Sequence, residues 1–287
     1  MTTSLTPLER ALMASLSPPK FRDVHLYAFS RRTVYSDGSI RVDHPLPIAV
    51  IGSVLKNTEH FEKLLGSGFA ESDKSHNATV RQYAYESEYD YETDSDLDEF
   101  EGFDPPPEPL SGPSIKGKEK SNAEGSEVVH GEPSVELEHR ILLPNMAYRT
   151  LKACIFYLYT GKVNFLPLKS QGQQDREFSM LTAADCSPPK CSPKSMYRLA
   201  EAYGISDLQG HAYQEIISRL KPENIVEEAF TSFFARYDRL REDAVSVLST
   251  HYSKPMVQKM LPAVIQRVVL GELPHAGETL VSLLGLR

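Results

Sequence analysis

Ten carboxylates crowd residues 86–104 (ESEYDYETDSDLDEFEGFD) without one basic residue, and the run leads straight into Pro105-Pro106-Pro107-Glu108-Pro109. Like charges at this density repel one another, and stiff prolines resist compaction. Residues 111–134 continue in Gly, Ser, Lys and Glu. Residues 76–133 are therefore expected to form a disordered, Pro-rich acidic insert that any fold must loop out into water. The chain carries 31 Lys+Arg against 39 Asp+Glu, a net charge of −8, so removing the ten acids of the run leaves +2 for the remainder. A near-neutral body argues against direct nucleic-acid binding, which needs a basic surplus to hold phosphates.

The pieces on either side read as two parts of one domain, because the first is too short to bury a core alone. Residues 21–29 (FRDVHLYAF) alternate with Val24, Leu26 and Ala28 on one face, Ser36-Asp37-Gly38 marks a turn, and Ile40 and Val42 resume the alternation. Residues 46–51 add strand, and Val54, Leu55, Phe61, Leu64 and Leu65 then predict a helix ended by Gly66. Upstream, Thr6-Pro7-Leu8-Glu9 has capping-box spacing.

In the second piece, residues 135–143 read as a strand ended by Pro144, with Asn145 as cap of a helix that carries Leu151, Cys154, Ile155 and Leu158 and stops at Gly161. Val163 and Phe165 suggest a short strand, and residues 166–191 a polar loop. Ser192-Pro193 opens a helix with Met196, Leu199, Ala200 and Tyr203 on one stripe. Further stripes run through Leu208, Ala212, Ile216 and Leu220, then through Val226, Ala229, Phe230, Phe233, Tyr237 and Leu240, with Pro255 and Pro262 as breaks.

The expected architecture is α+β: an N-terminal arm with a short helix (1–19), a domain in two parts (20–75 and 134–220) around the insert (76–133), and a helical extension with tail (221–287). The longest apolar patch, residues 46–55, is interrupted by Pro47, Gly52 and Ser53, far short of the ~20 residues of a membrane helix. Residues 1–10 lack a secretory pattern, and three cysteines (Cys154, Cys186, Cys191) cannot all pair within the chain. An intracellular protein of the cytoplasm or nucleus, without a membrane partner, is expected.

Phe21-Arg22-Asp23-Val24, Gly68-Phe69-Ala70-Glu71-Ser72, Phe156-Tyr157-Leu158-Tyr159-Thr160-Gly161, the segment 196–208 (MYRLAEAYGISDL) and Pro222-Glu223-Asn224-Ile225 occur in that order. Together they resemble the BTB/POZ domain followed by its BACK-like helical extension. The SDSDLDE stretch and Cys191-Ser192-Pro193-Lys194-Ser195 look like a divergent fungal subset of that family. Ile51-Gly52-Ser53 stand where family members place a histidine and an arginine. The resemblance implies a small sheet covered by helices and a homodimer built around the first helix, to which Val54, Phe61 and Leu65 would contribute. It also implies a non-catalytic scaffold acting as substrate adaptor for a cullin-type ubiquitin ligase, with Tyr157, Tyr159 and Val163 on the partner face. The alternative is a nuclear transcription-regulatory or acidic protein whose insert captures basic partners and whose folded part only oligomerises.

No catalytic constellation emerges. Cys154 lies on a helix's buried stripe, Cys186, Cys191 and His211 lack the further ligand pair a zinc site needs, and neither cofactor nor metal is expected. Tyr83, Tyr85, Tyr89 and Tyr91 among the acids would suit anchoring to a partner, although a solvated linker explains them as well. Thr93 and Ser95 each have Asp at +1 and +3, a context suited to phosphorylation by an acidophilic kinase. The scaffold reading requires the two flanking pieces to share one interior with the acidic middle in water, and it falls with that premise if the halves are separate bodies or the middle is packed inside.

Overall fold

The computed structural model describes residues 24–56, 58–66, 89, 93–102, 139–172, 174–176, 178 and 188–285, together with residues 6, 8, 9 and 13 of the N-terminal arm. It is mixed α+β. Strand β1 (Val24–Tyr35) turns through Asp37 and Gly38 into β2 (Ile40–Val50), and the two pair antiparallel from Val24↔Val50 to Val34↔Ile40. Gly38 sits at φ 82°, a left-handed conformation that glycine adopts without Cβ strain. Along its other edge β1 takes two parallel partners end to end: β4 (His139–Ala147) beside Val24 to Phe29, and β3 (Asp98–Gly102) beside Arg31 to Tyr35.

The expected helix after β2 is two: α1 (Gly52–Leu55) and α2 (Glu59–Gly66). Thr58 marks the break, its Oγ1 donating to the Leu55 carbonyl while its own carbonyl accepts from Glu62 N–H. Strand β4 does not stop at Pro144. Its register with β1 jumps from Tyr27↔Leu142 to Phe29↔Ala147, so Pro144 and Asn145 lie in a bulge, where a missing N–H is tolerated. Helix α3 (Tyr148–Thr160) accordingly begins after Ala147, with no side-chain cap from Asn145, and ends at Gly161 at φ 68°.

A two-stranded parallel ladder joins β5 (Asn164–Phe165) to β6 (Lys190–Cys191). Helices α4 (Pro193–Ala202) and α5 (Ser206–Ser218) form a packed hairpin, and the Ser192 side chain caps α4 by accepting from Ser195 N–H. The extension comprises α6 (Ile225–Ala229), α7 (Ser232–Arg236), α8 (Asp238–Thr250), α9 (Pro255–Val269) and α10 (Gly277–Leu283). The stripe through Val226 to Leu240 is thus three helices, interrupted where Thr231 caps α7. Pro262, expected to break a helix, lies inside α9. Both Pro262 and Gln258 are exposed, so the carbonyl that Pro262 leaves without its helical donor lies on the watery side. In the arm, Thr6 N–H donates to Glu9 Oε2 at 2.7 Å and Glu9 N–H to Thr6 Oγ1 at 3.3 Å, the reciprocal bonds of a capping box.

One hydrophobic core runs through Leu26, Phe29 and Phe61 of the first piece and Ile141, Leu151, Met196, Leu208 and Phe234 of the second. Tyr89 and Leu97, both from the acidic run, are buried in the same core. The expectation of an insert wholly looped into water is therefore corrected for Tyr89 and for residues 93–102; the rest of 76–133 lies outside the described residues.

Candidate functional site

The acidic run enters the fold because two of its carboxylates find dedicated donors. Asp96, whose side chain is 0% exposed, accepts from Ser192 N–H with both oxygens at 2.8 Å, from Thr150 Oγ1 at 2.7 Å and from Arg176 Nη2 at 3.0 Å. Asp94 accepts from Tyr89 Oη at 2.7 Å, from Asp96 N–H at 2.9 Å and from Ser195 Oγ, with Arg198 Nη1 at 3.9 Å. Arg176 further donates to the Ser95 and Pro167 carbonyls. Two buried carboxylates thus face two guanidinium groups, the arrangement that makes interior charge tolerable.

Burial, then the neighbouring Asp94 carboxylate, push Asp96 up to about 6, against the pull of Arg176, Thr150 and Ser192. Burial and Asp94 also hold the Tyr89 phenol well above its ordinary value. The node lies between two clefts. One, of about 490 Å³, is lined by Asp96, Asp98, His44, Lys152 and Lys190; the other, of about 360 Å³, by Asp94, His60, Arg198, Tyr203 and Tyr237.

The sequence-derived candidates fall in different places. Val54 and Phe61 are 0% exposed within their own chain, leaving no side-chain surface for a second copy, which corrects their assignment to a dimer contact; Leu65 is half-buried. Tyr157 sits half-buried against the core, edge-on to His211 with ring centroids 6.1 Å apart. Tyr159 reaches back to accept from Ile51 N–H at 2.9 Å, and Val163 packs half-buried on the core. The three thus share the C-terminal end of α3 and its exit, each partly engaged inside the chain.

Thr93 is exposed and Ser95 half-buried, but Asp94 and Asp96, which follow them, are inside. Cys154 and Cys191 are buried free thiols; burial pushes Cys154 up to about 12 and raises Cys191 well above its usual value. Cys186, Tyr83, Tyr85 and Tyr91 lie outside the described residues. Among the described residues no group of three His, Cys, Asp or Glu is placed to hold a metal, and no helix is long and apolar enough to cross a membrane.

Sequence reasoning missed the node itself, reading its aspartates only as part of a repelling run. A signal was present: Leu97 and Tyr89 supply apolar surface inside that run. Helix α6 is joined to α4 by a second buried polar cluster. Glu228 on α6 pairs with Lys194 on α4 and accepts from Ser170 Oγ, which in turn accepts from Asn224 Nδ2 at 3.1 Å. A scan of protein families gives no matching model, and a search of curated proteins gives no matching relative.

Proposed function

We propose that this chain is a non-catalytic protein–protein interaction scaffold of the BTB type, serving as substrate adaptor for a cullin-type ubiquitin ligase. The observation that carries the reading is the order of elements. A hairpin is followed by two short helices, two strands parallel to the first (β3 and β4), a helix stopped by Gly161, the short β5–β6 ladder, a helical hairpin and further helices bonded to it through Glu228 and Lys194. Apart from β3, which the acidic insert contributes, that order fits the small sheet with helices and helical extension that the resemblance implies, and the core shared by both pieces supports the reading. Against it stands the burial of Tyr89, Asp94, Asp96 and Leu97 and the pairing of residues 98–102 with β1, where the reading required a wholly solvated middle.

A complex of the full chain with a recombinant cullin N-terminal domain, followed by size-exclusion chromatography with light scattering, tests the proposal. Binding that weakens on Tyr157→Ala or Val163→Asp, with melting temperature retained, is the expected result. No complex at tens of micromolar, a range in which specific interfaces are still occupied, overturns the adaptor role.

A further inference from the structure

We propose that the outer edge of β3 is a strand-addition site for an extended peptide segment of a partner protein, with cationic and β-branched residues alternating along it. The inference stands on the sheet alone and goes beyond the cullin reading. Strand β3 pairs with β1 on one side, and among the described residues no strand pairs with its other side. An unpaired edge presents a row of N–H and C=O groups, which natural proteins blunt with prolines or charge.

The two outer edges of this sheet are blunted differently. Strand β2 carries Pro45 and Pro47, which remove donors and obstruct a further strand. Strand β3 has no proline; its sequence is DEFEG. Charge alone guards it, and charge of one sign also selects.

With side chains alternating across the strand, Glu99 and Glu101 share one face while Asp98 and Phe100 share the other. Asp98 and Glu99 are 70% and 60% exposed, and Phe100 is 50% exposed with the Arg31 guanidinium 4.9 Å from its ring. Glu99 holds Lys169 at 2.8 Å in an exposed pair, worth little in water and open to exchange with an incoming cation. Glu101 has no ion pair among the described residues. A partner strand laid along this edge would meet Glu99 and Glu101 on one face, and on the other Phe100 together with Asp98, which Arg149 already holds at 2.9 Å; that fits lysine or arginine alternating with valine or isoleucine. A second copy of β3 would set carboxylate against carboxylate, so self-pairing is disfavoured.

The test uses the full chain and fluorescently labelled acetyl-TKVKVKT-amide, read by anisotropy, with two derivatives N-methylated at alternate residues. Only one alternate set of peptide N–H groups can face β3. One derivative should therefore lose roughly tenfold or more in affinity while the other keeps it. Glu101→Lys should weaken the parent peptide with the melting temperature unchanged. Equal binding of both derivatives, or no binding at low salt, overturns the proposal. So does light scattering showing a dimer lost on Glu101→Pro, which would make the second copy the occupant. Binding by a Glu99→Lys/Glu101→Lys variant equal to that of the parent chain overturns it as well, since that variant keeps the strand and reverses its charge.

Discussion

The carboxylate of Asp96 straddles the backbone N–H of Ser192, both oxygens at 2.8 Å across 96 residues of sequence. Ser192 caps α4, so a residue of the acidic run binds the helix N-terminus, where the macrodipole favours negative charge. Thr150 on α3 and Arg176 complete the shell, and the single carboxylate ties four separate stretches of chain together.

Asp96→Ala should destabilise the fold by about 3–5 kcal/mol, because it leaves the Arg176 guanidinium buried without its counter-charge. Urea denaturation should give a lower midpoint with an unchanged slope. A loss below about 1 kcal/mol, the worth of an exposed pair, would mean that the node is open to water.

The same group sets a pH dependence. Asp96 titrates at about 6 in the fold against an ordinary 3.8, so the folded state binds its proton more tightly than the unfolded chain. Its contribution therefore raises stability as pH falls from about 6 towards 3.8, and is lost as pH rises through about 6. Asp96→Asn removes the titration. The stability difference between wild type and this variant should shift by on the order of 2–3 kcal/mol between pH 7.5 and pH 4. A pH-independent difference would refute the raised value.

Tyr159→Phe removes the acceptor of Ile51 N–H, leaving a donor on a residue that is 6% exposed without that partner. A cost of about 1–2 kcal/mol is expected. Hydrogen exchange should accelerate at Ile51 more than at Leu151, deep in α3.

Lys194→Met should cost about 2–4 kcal/mol by stranding the Glu228 carboxylate, which is 3% exposed. Adding Glu228→Met should restore most of that loss, since an apolar pair of similar volume needs no counter-charge. A double-mutant cycle by thermal denaturation reads the coupling. Additive losses would mean that the pair does not hold α6 to α4.

Acidophilic kinase treatment should modify a peptide of residues 89–104 at Ser95 at least roughly tenfold faster than the folded chain, because reaching Ser95 requires local opening. Asp96 is buried and the Ser95 carbonyl is held by Arg176 at 2.6 Å. Equal rates would show that this segment leaves the core readily.

Much of the fold was legible in the residues. The hairpin at Asp37-Gly38, the stop at Gly161, the cap at Ser192 and the stripe through Met196, Leu199 and Ala200 all stand where the pattern put them. Asn145 and Pro144 read as a cap and a stop because the bulge that absorbs them depends on β1. Val54 and Phe61 were dimer contacts only by family resemblance, which does not tell how completely this chain's own residues cover them.

What the sequence by itself determined are features whose bonds close within a few residues: turn, cap, left-handed glycine and helical stripe. The fate of Asp94 and Asp96 was decided only by tertiary structure. Their charge is a local property that predicts repulsion, whereas Arg176, Ser192, Ser195 and Arg198, which reverse the balance, lie some 80 to 104 positions along the chain. Burial of an ion is favourable only when its counter-ion and donors arrive with it, and no window of sequence around the aspartates contains them.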